Sequence, residues 1–141
     1  MTDPITAVFA IVVLVALVLL IRPAQSEVRS IVRHVHDGDT IYLKGVREPI
    51  RIWGINAPEI EDPGGWEAKD AMKALVLRRS LRCVKMDRDH YNRIVAKCFL
   101  PDGRDVAAEM IKQGHAFDMP RYSRGYYKRI KKGANGDGKR P

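Results

Sequence analysis

The chain has 141 residues and a formal net charge of +8. Hydrophobic residues make up 45% and charged residues 30% of it; these ordinary globular proportions exclude a body that is itself a disordered tail and leave, beyond the N-terminal segment, about 115 residues for one core and one domain. The basic excess points to a polyanionic partner, either nucleic acid or an anionic membrane surface, with a merely soluble basic protein as the plain alternative.

From Ile5 to Ile21 the only polar residue is Thr6. As a helix this segment would reach about 25 Å, short of a hydrocarbon core of roughly 30 Å. No polar face recurs at a 3.6-residue period, which argues against a soluble core helix. Residues 1–26 therefore read as a signal peptide or a short membrane anchor. Asp3, with no Lys or Arg before Ile5, departs from a signal-peptide n-region, whereas Ala24-Gln25-Ser26 is a small-x-small cleavage site. Arg22, Arg29 and Arg33 follow the segment, and the positive-inside rule would keep them in the cytoplasm, against export of the body.

Val28 to Val35 alternates in the manner of a strand. Asp37-Gly38-Asp39 then supplies turn chemistry, and Thr40 to Leu43 resumes as a strand. A second turn occupies Lys44-Gly45 to Pro49. Ile50 to Ile55 makes a third strand, ended by Pro58, and Glu61 to Gly65 reads as a loop. From Trp66 the period becomes helical: Ala68, Ala71, Met72, Leu75 and Val76 form one apolar stripe on a helix of about 14 residues, with Lys69, Lys73 and Arg79 off it. Leu81 to Met86 and Ile94 to Leu100 make two more strands around a turn at Asp89 to Asn92. A short helix follows over Val106 to Gln113, with Asp105 as N-cap and Gly114 as its stop. The expected fold is mainly β with accessory helices: a five-stranded OB-type Greek-key barrel preceded by an N-terminal hydrophobic helix. The barrel domain is expected over 27–125, with 126–141 a basic, fraying tail.

Cys83 and Cys98 lie nearly symmetrically about the Asp89–Asn92 turn. Two readings stand: a cross-strand disulfide in an oxidising compartment, or two small buried apolar side chains. His34 and His36 share a strand face, but no cysteine or third histidine is spaced near them, so a solvated face is expected rather than a metal site. Gly133 to Lys139 fits G-x-x-x-x-G-K, but Arg140 replaces the Ser or Thr and no helix can follow, so the match is false. Neither a Ser-His-Asp order nor paired cysteine ligands occur.

Three stretches carry the chemistry: Asp37-Gly38-Asp39-Thr40, Arg51 through Glu59 with its Asn56-Ala57-Pro58-Glu59 end, and Asp89-His90-Tyr91-Asn92-Arg93. Each alone is an ordinary turn, strand or loop. In this order and spacing they resemble the staphylococcal nuclease family, over about Ile31 to Tyr122. The resemblance implies hydrolysis of DNA or RNA with low sequence preference, by attack on the 5′ side that leaves 3′-phosphate ends. It implies a calcium ion on Asp39, Asn56 and the Ala57 carbonyl. Glu59 would be the general base, and Arg51 and Arg93 would clamp the phosphate, because a guanidinium matches phosphate oxygens with paired donors. Tyr91 and Tyr122 would contact substrate. Asn56 departs from the family's Asp, removing a charge from the metal site. Asn92 departs from its Gly, at a position where Asn still tolerates a left-handed backbone. The rival expectation is a barrel that binds nucleic acid or an anionic polysaccharide without cutting it; a third is an envelope protein that uses the barrel for protein contacts. No protein partner is predicted, and the membrane is a partner only if the N-terminal segment is retained.

Overall fold

The computed structural model describes residues 3–21 and 23–130. An exposed helix comes first, α1 (Pro4–Leu20), with Pro4 at its first turn and no buried residue. Its 17 residues give about 25 Å of rise. Among the described residues no helix is long and apolar enough to cross a membrane.

Five strands then close into a barrel: β1 (Glu27–Val35), β2 (Thr40–Leu43), β3 (Ile50–Ile52), β5 (Ser80–Arg88) and β6 (Ile94–Phe99), in the order β1-β2-β3-β6-β5. β1 closes it by pairing with β2 on one side and β5 on the other. The one parallel pairing among these joins β3 to β6, with Arg51 opposite Val95. Alternation explains the core: Val32, Val35, Ile41, Leu43, Ile50, Ile52 and Leu81 point inward and are at most 1% exposed. Each such burial contributes roughly 1.5–3 kcal/mol relative to exposure. This is the OB-type barrel that the strand order predicts.

Two helices plug the barrel. In α2 (Gly65–Val76) the stripe Ala68, Met72, Leu75 and Val76 is buried and Ala71 is half-buried against the core. In α3 (Val106–Lys112) the Asp105 carboxylate accepts from Ala107 N–H and Ala108 N–H, so the expected N-cap is present. Gly114, at φ 77°, ends this segment in the left-handed region that suits glycine. Cys83 and Cys98 stand directly opposite across β5 and β6, and they form a disulfide. His34 and His36 are both exposed.

The structure departs from the sequence expectation in two places. The third strand is not continuous to Ile55: β3 ends at Ile52, Trp53-Gly54 turns, and Ile55–Asn56 becomes β4. Gly54 has φ +79°, and a Cβ there would come 2.9 Å from the Tyr127 ring. β4 pairs instead with β7 (Phe117–Asp118), outside the barrel, and α4 (Pro120–Ser123) follows. Second, the domain does not stop at residue 125. Tyr127 is 2% exposed, its hydroxyl donates to Asp105 Oδ2 at 2.8 Å, and Ile130 packs on the core. Apolar ring area and a half-buried acceptor recruit this part of the basic segment. Residues 131–141, including the false phosphate-loop match, lie outside the described residues.

Candidate active site

The Asp37–Asp39 turn is buried and over-determined. Asp37 Oδ1 accepts from Asp39 N–H at 3.0 Å, closing the turn on itself. Gly38 is needed for packing rather than for its dihedral: a Cβ there would lie 2.6 Å from Ala57 Cβ and 2.8 Å from Ala68 Cβ. The turn is thus pressed between the Asn56-Ala57 segment and α2. Asp39 is 4% exposed. Its Oδ1 accepts from the Thr40 hydroxyl at 3.2 Å, and its Oδ2 accepts from Ala57 N–H at 2.8 Å and faces Arg51 Nη2 at 3.3 Å. Burial pushes the Asp39 pKa up to about 6; Arg51 and the Ala57 N–H pull it down, and neighbouring Asp37 pushes it up. Two carboxylates against one guanidinium leave the spot short of positive charge.

Arg51, on β3, lies at the centre of the constellation. Nη1 donates to Ile52 O at 2.8 Å, and Nη2 donates to Asn56 Oδ1 at 3.3 Å as well as meeting Asp39. Its side chain is only 15% exposed, so its donors are directed rather than mobile. Asp39, Arg51, Asn56 and Ala57 are therefore brought into one set of contacts. Glu59 is not. It is exposed, and among the described residues its carboxylate has no hydrogen bond or ion pair. Its backbone, in contrast, is clamped: Glu59 O accepts from Asp62 N–H, and a Cβ on Gly65 would fall 1.8 Å from that oxygen.

The other arm is the β5–β6 turn. Asp89 Oδ1 accepts from Tyr91 N–H at 3.0 Å and Arg93 N–H at 2.9 Å, while Oδ2 accepts from Arg93 Nε at 2.6 Å. Partial burial opposes its ionisation, but these donors outweigh burial and lower the Asp89 pKa. Asn92 takes φ 61°, the left-handed position for which Asn is suited. With Nε engaged by Asp89, Arg93 keeps both Nη groups without a protein partner among the described residues, beside the Tyr91 ring at 5.3 Å. Arg51, Asn56, Tyr91, Arg93 and Tyr122 all line one open groove of about 950 Å³. Asp39, Ala57 and Glu59 are not among its lining residues.

The oxygen donors near Asp39 are of the hard type that calcium takes, but few: one buried carboxylate, Asp37 behind it, the Asn56 amide oxygen and local carbonyls. Among the described residues no three His, Cys, Asp or Glu side chains gather as a metal-binding group. A cation would suit the charge shortage at Asp39, and the donor set offers one carboxylate fewer than an Asp at 56 would provide.

Sequence reasoning did not single out Trp53, Arg121 or Arg124, which line the same groove, or the Tyr127–Asp105 contact behind it. The signal for Trp53 was Gly54 after it. Arg121 and Arg124 had only their charge, among many other basic residues.

Residues 49–136 match the model of the family described as Staphylococcal nuclease homologue. An uncharacterized endonuclease of Escherichia coli is 33% identical over 100 residues, covering 70% of this chain and 65% of that protein. A succinoglycan biosynthesis protein of Rhizobium meliloti is 34% identical over 115 residues, covering 74% of this chain and 59% of that protein. A probable staphylococcal-like nuclease of Oryza sativa is 38% identical over 85 residues, covering 60% of this chain and 25% of that protein. The chain thus spans somewhat under two-thirds of the length of the first of these relatives and a smaller share of the others. The matched stretch holds the closed barrel's β3, β5 and β6, Arg51, Asn56 and Ala57 of the cluster but not Asp39, and the Arg93 turn, and the chain belongs to the staphylococcal nuclease family.

Proposed function

We propose that the protein hydrolyses phosphodiester bonds of DNA or RNA with little sequence preference. The observation that carries this reading is the contact set Asp39–Arg51–Asn56, with Arg51 and Arg93 lining one groove. Two guanidiniums engaged on phosphate oxygens would read no base edge, which supports low sequence preference. Arg51 and Arg93 hold the phosphate and stabilise the charge that builds on it in the transition state. Glu59, exposed to solvent, takes the proton from the attacking water. Asp39, Asn56 Oδ1 and the Ala57 carbonyl would hold calcium, which when bound supplies positive charge at the scissile phosphate. Tyr91 and Tyr122 offer ring faces to the bases. Relatives named as endonuclease and as staphylococcal-like nuclease support the same reading.

The deciding experiment follows cleavage of single-stranded DNA and RNA by the full chain, with calcium and with chelator, beside Asn56→Asp. Calcium-dependent cutting by the natural sequence is expected. Binding without cutting, with activity gained only by Asn56→Asp, would overturn it.

That second outcome belongs to the rival reading, a barrel that binds nucleic acid or an anionic polysaccharide without cleaving it. Asn56 favours it, because the site lacks one charge and the amide oxygen is already engaged by Arg51. A relative named for succinoglycan biosynthesis supports the polysaccharide form of this reading. For localisation we propose export, the body being secreted, periplasmic or held at a membrane by its N-terminal segment. Two features support it: the Cys83–Cys98 disulfide, which suits an oxidising compartment, and the apolar run of α1.

A further inference from the structure

The groove is wider than one phosphate requires, and its far wall is rich in arginine. Five arginines line the groove: Arg51, Arg88, Arg93, Arg121 and Arg124. Three are engaged within the protein. Arg51 meets Asp39, Arg93 meets Asp89, and Arg88 donates to Asn92 Oδ1 at 2.7 Å and pairs with Glu48. The side chains of Arg121 and Arg124 have no hydrogen bond or ion pair among the described residues and are exposed, on either side of Tyr122 and Ser123.

These two side chains stand on a fastened wall. β7 pairs with β4, placing Phe117 opposite Asn56, so the wall starts on the strand that carries a candidate site residue. Met119 N–H donates to Gly54 O at 2.9 Å, Ser123 Oγ donates to Asp118 Oδ1 at 2.5 Å, and Tyr127 anchors the far end on Asp105. Arg124 holds φ 51°, a left-handed position at which glycine would be less strained. Two guanidiniums without an acidic partner among the described residues, Arg121 lying 6.0 Å from the Tyr122 ring centroid, stand on a fastened wall in a groove whose two aspartates already accept from neighbouring N–H groups, and are pre-organised for a second anion.

We propose that Arg121 and Arg124 form a second phosphate-binding site that takes a neighbouring backbone phosphate of the same strand, so that the groove grips a polynucleotide at two phosphates. This extends the phosphodiesterase reading and uses the same groove, but binding tests it independently of cleavage.

The test measures binding of a fluorescently labelled single-stranded oligonucleotide to the full chain in chelator, across a range of salt. Removing one phosphate-binding cation should reduce the slope of log K against log salt by about 0.7. For Arg121→Ala/Arg124→Ala we expect binding weakened roughly tenfold and a slope shallower by about 1.4. Lys44→Ala/Arg47→Ala removes equal charge outside the groove and should change the slope far less. Arg124→Gly relieves the left-handed backbone, so it should melt higher than the parent and still bind more weakly, a split that a merely structural Arg124 would not give. An unchanged slope in the Arg121/Arg124 variant, or an equal reduction in the Lys44/Arg47 variant, would overturn the second site. Cleavage followed in parallel separates the two ideas. A chain that cuts but keeps its slope rules out the second site alone, and one that shows the slope change but never cuts rules out hydrolysis alone.

Discussion

Two carboxylates bracket the Asn56-Ala57 strand end, and the protein treats them in opposite ways. Asp39 is sealed, with three protein partners and a pKa raised to about 6. Glu59 leaves its side chain in solvent without a partner among the described residues, while its backbone is pinned by Asp62 N–H and by the close approach of Gly65. A group that holds a cation benefits from burial, because a low-dielectric setting strengthens its attraction for that cation. A general base, the role proposed for Glu59, would have to meet water, and here the main chain is fixed while the carboxylate is exposed. The difference teaches that position here is set through the backbone at one acid and through the side chain at the other.

The largest expected effect tests that contrast directly. Glu59→Gln should lower kcat by about a thousandfold and leave the melting temperature unchanged, since the exposed carboxylate has no partner to lose. A fall in melting temperature would mean that Glu59 is structural after all. Arg93→Ala should lower kcat by about a hundredfold or more with the barrel still folded, as circular dichroism would report; full activity would remove Arg93 from the site.

Next is Gly65→Ala. The added Cβ would displace the Glu59 carbonyl, so kcat should fall about tenfold with KM little changed. In a Glu59→Gln background the same change should add almost nothing to the loss, because it acts through Glu59. Additive losses would show that Gly65 works by another route.

The smallest effect has the opposite sign. The folded pKa of Asp39 lies above its ordinary value of 3.8, so the fold penalises the ionised form. That penalty is absent below pH about 3.8, grows as pH rises towards about 6, and persists above it. Asp39→Asn should therefore raise stability in chelator at pH 7, by about 1 kcal/mol or roughly 4 °C in Tm. The gain should vanish near pH 4. Destabilisation at pH 7 would mean that the Arg51 pairing outweighs burial.

Much of this was legible in the sequence, for local reasons. β1, β2, α2 and α3 follow from periodicities of two and 3.6, and the Asp105 cap from one residue type next to an apolar stripe. The split of the third strand was not legible. Gly54 must turn because the Tyr127 ring, distant in sequence, lies 2.9 Å from where its Cβ would be. β7 and α4 are two and four residues long, too short for any period to register. Tyr127 sits in a run of basic residues, and only its three-dimensional partner Asp105 tells it apart from Tyr126, which is 59% exposed. At the site, Asp39, Arg51, Asn56 and Ala57 were placed by resemblance and meet as contacts. The isolation of the Glu59 side chain and the grip on its main chain could not be read, because they depend on a glycine in the next element.

The parallel seam between β3 and β6 has a consequence for how the protein comes to act. Ile50, Arg51 and Ile52 face Ile94, Val95 and Ala96, partners far apart in the chain, while every other barrel pairing but the β1–β5 closure joins strands consecutive in sequence. Closing so long a loop carries an entropic cost that local hairpins do not have, so this seam belongs among the late events of folding. Arg51 lies within that seam and Arg93 immediately precedes it. A nascent chain thus carries both arginines without any assembled grip, and the groove's proposed phosphate grip would begin only when the barrel has shut.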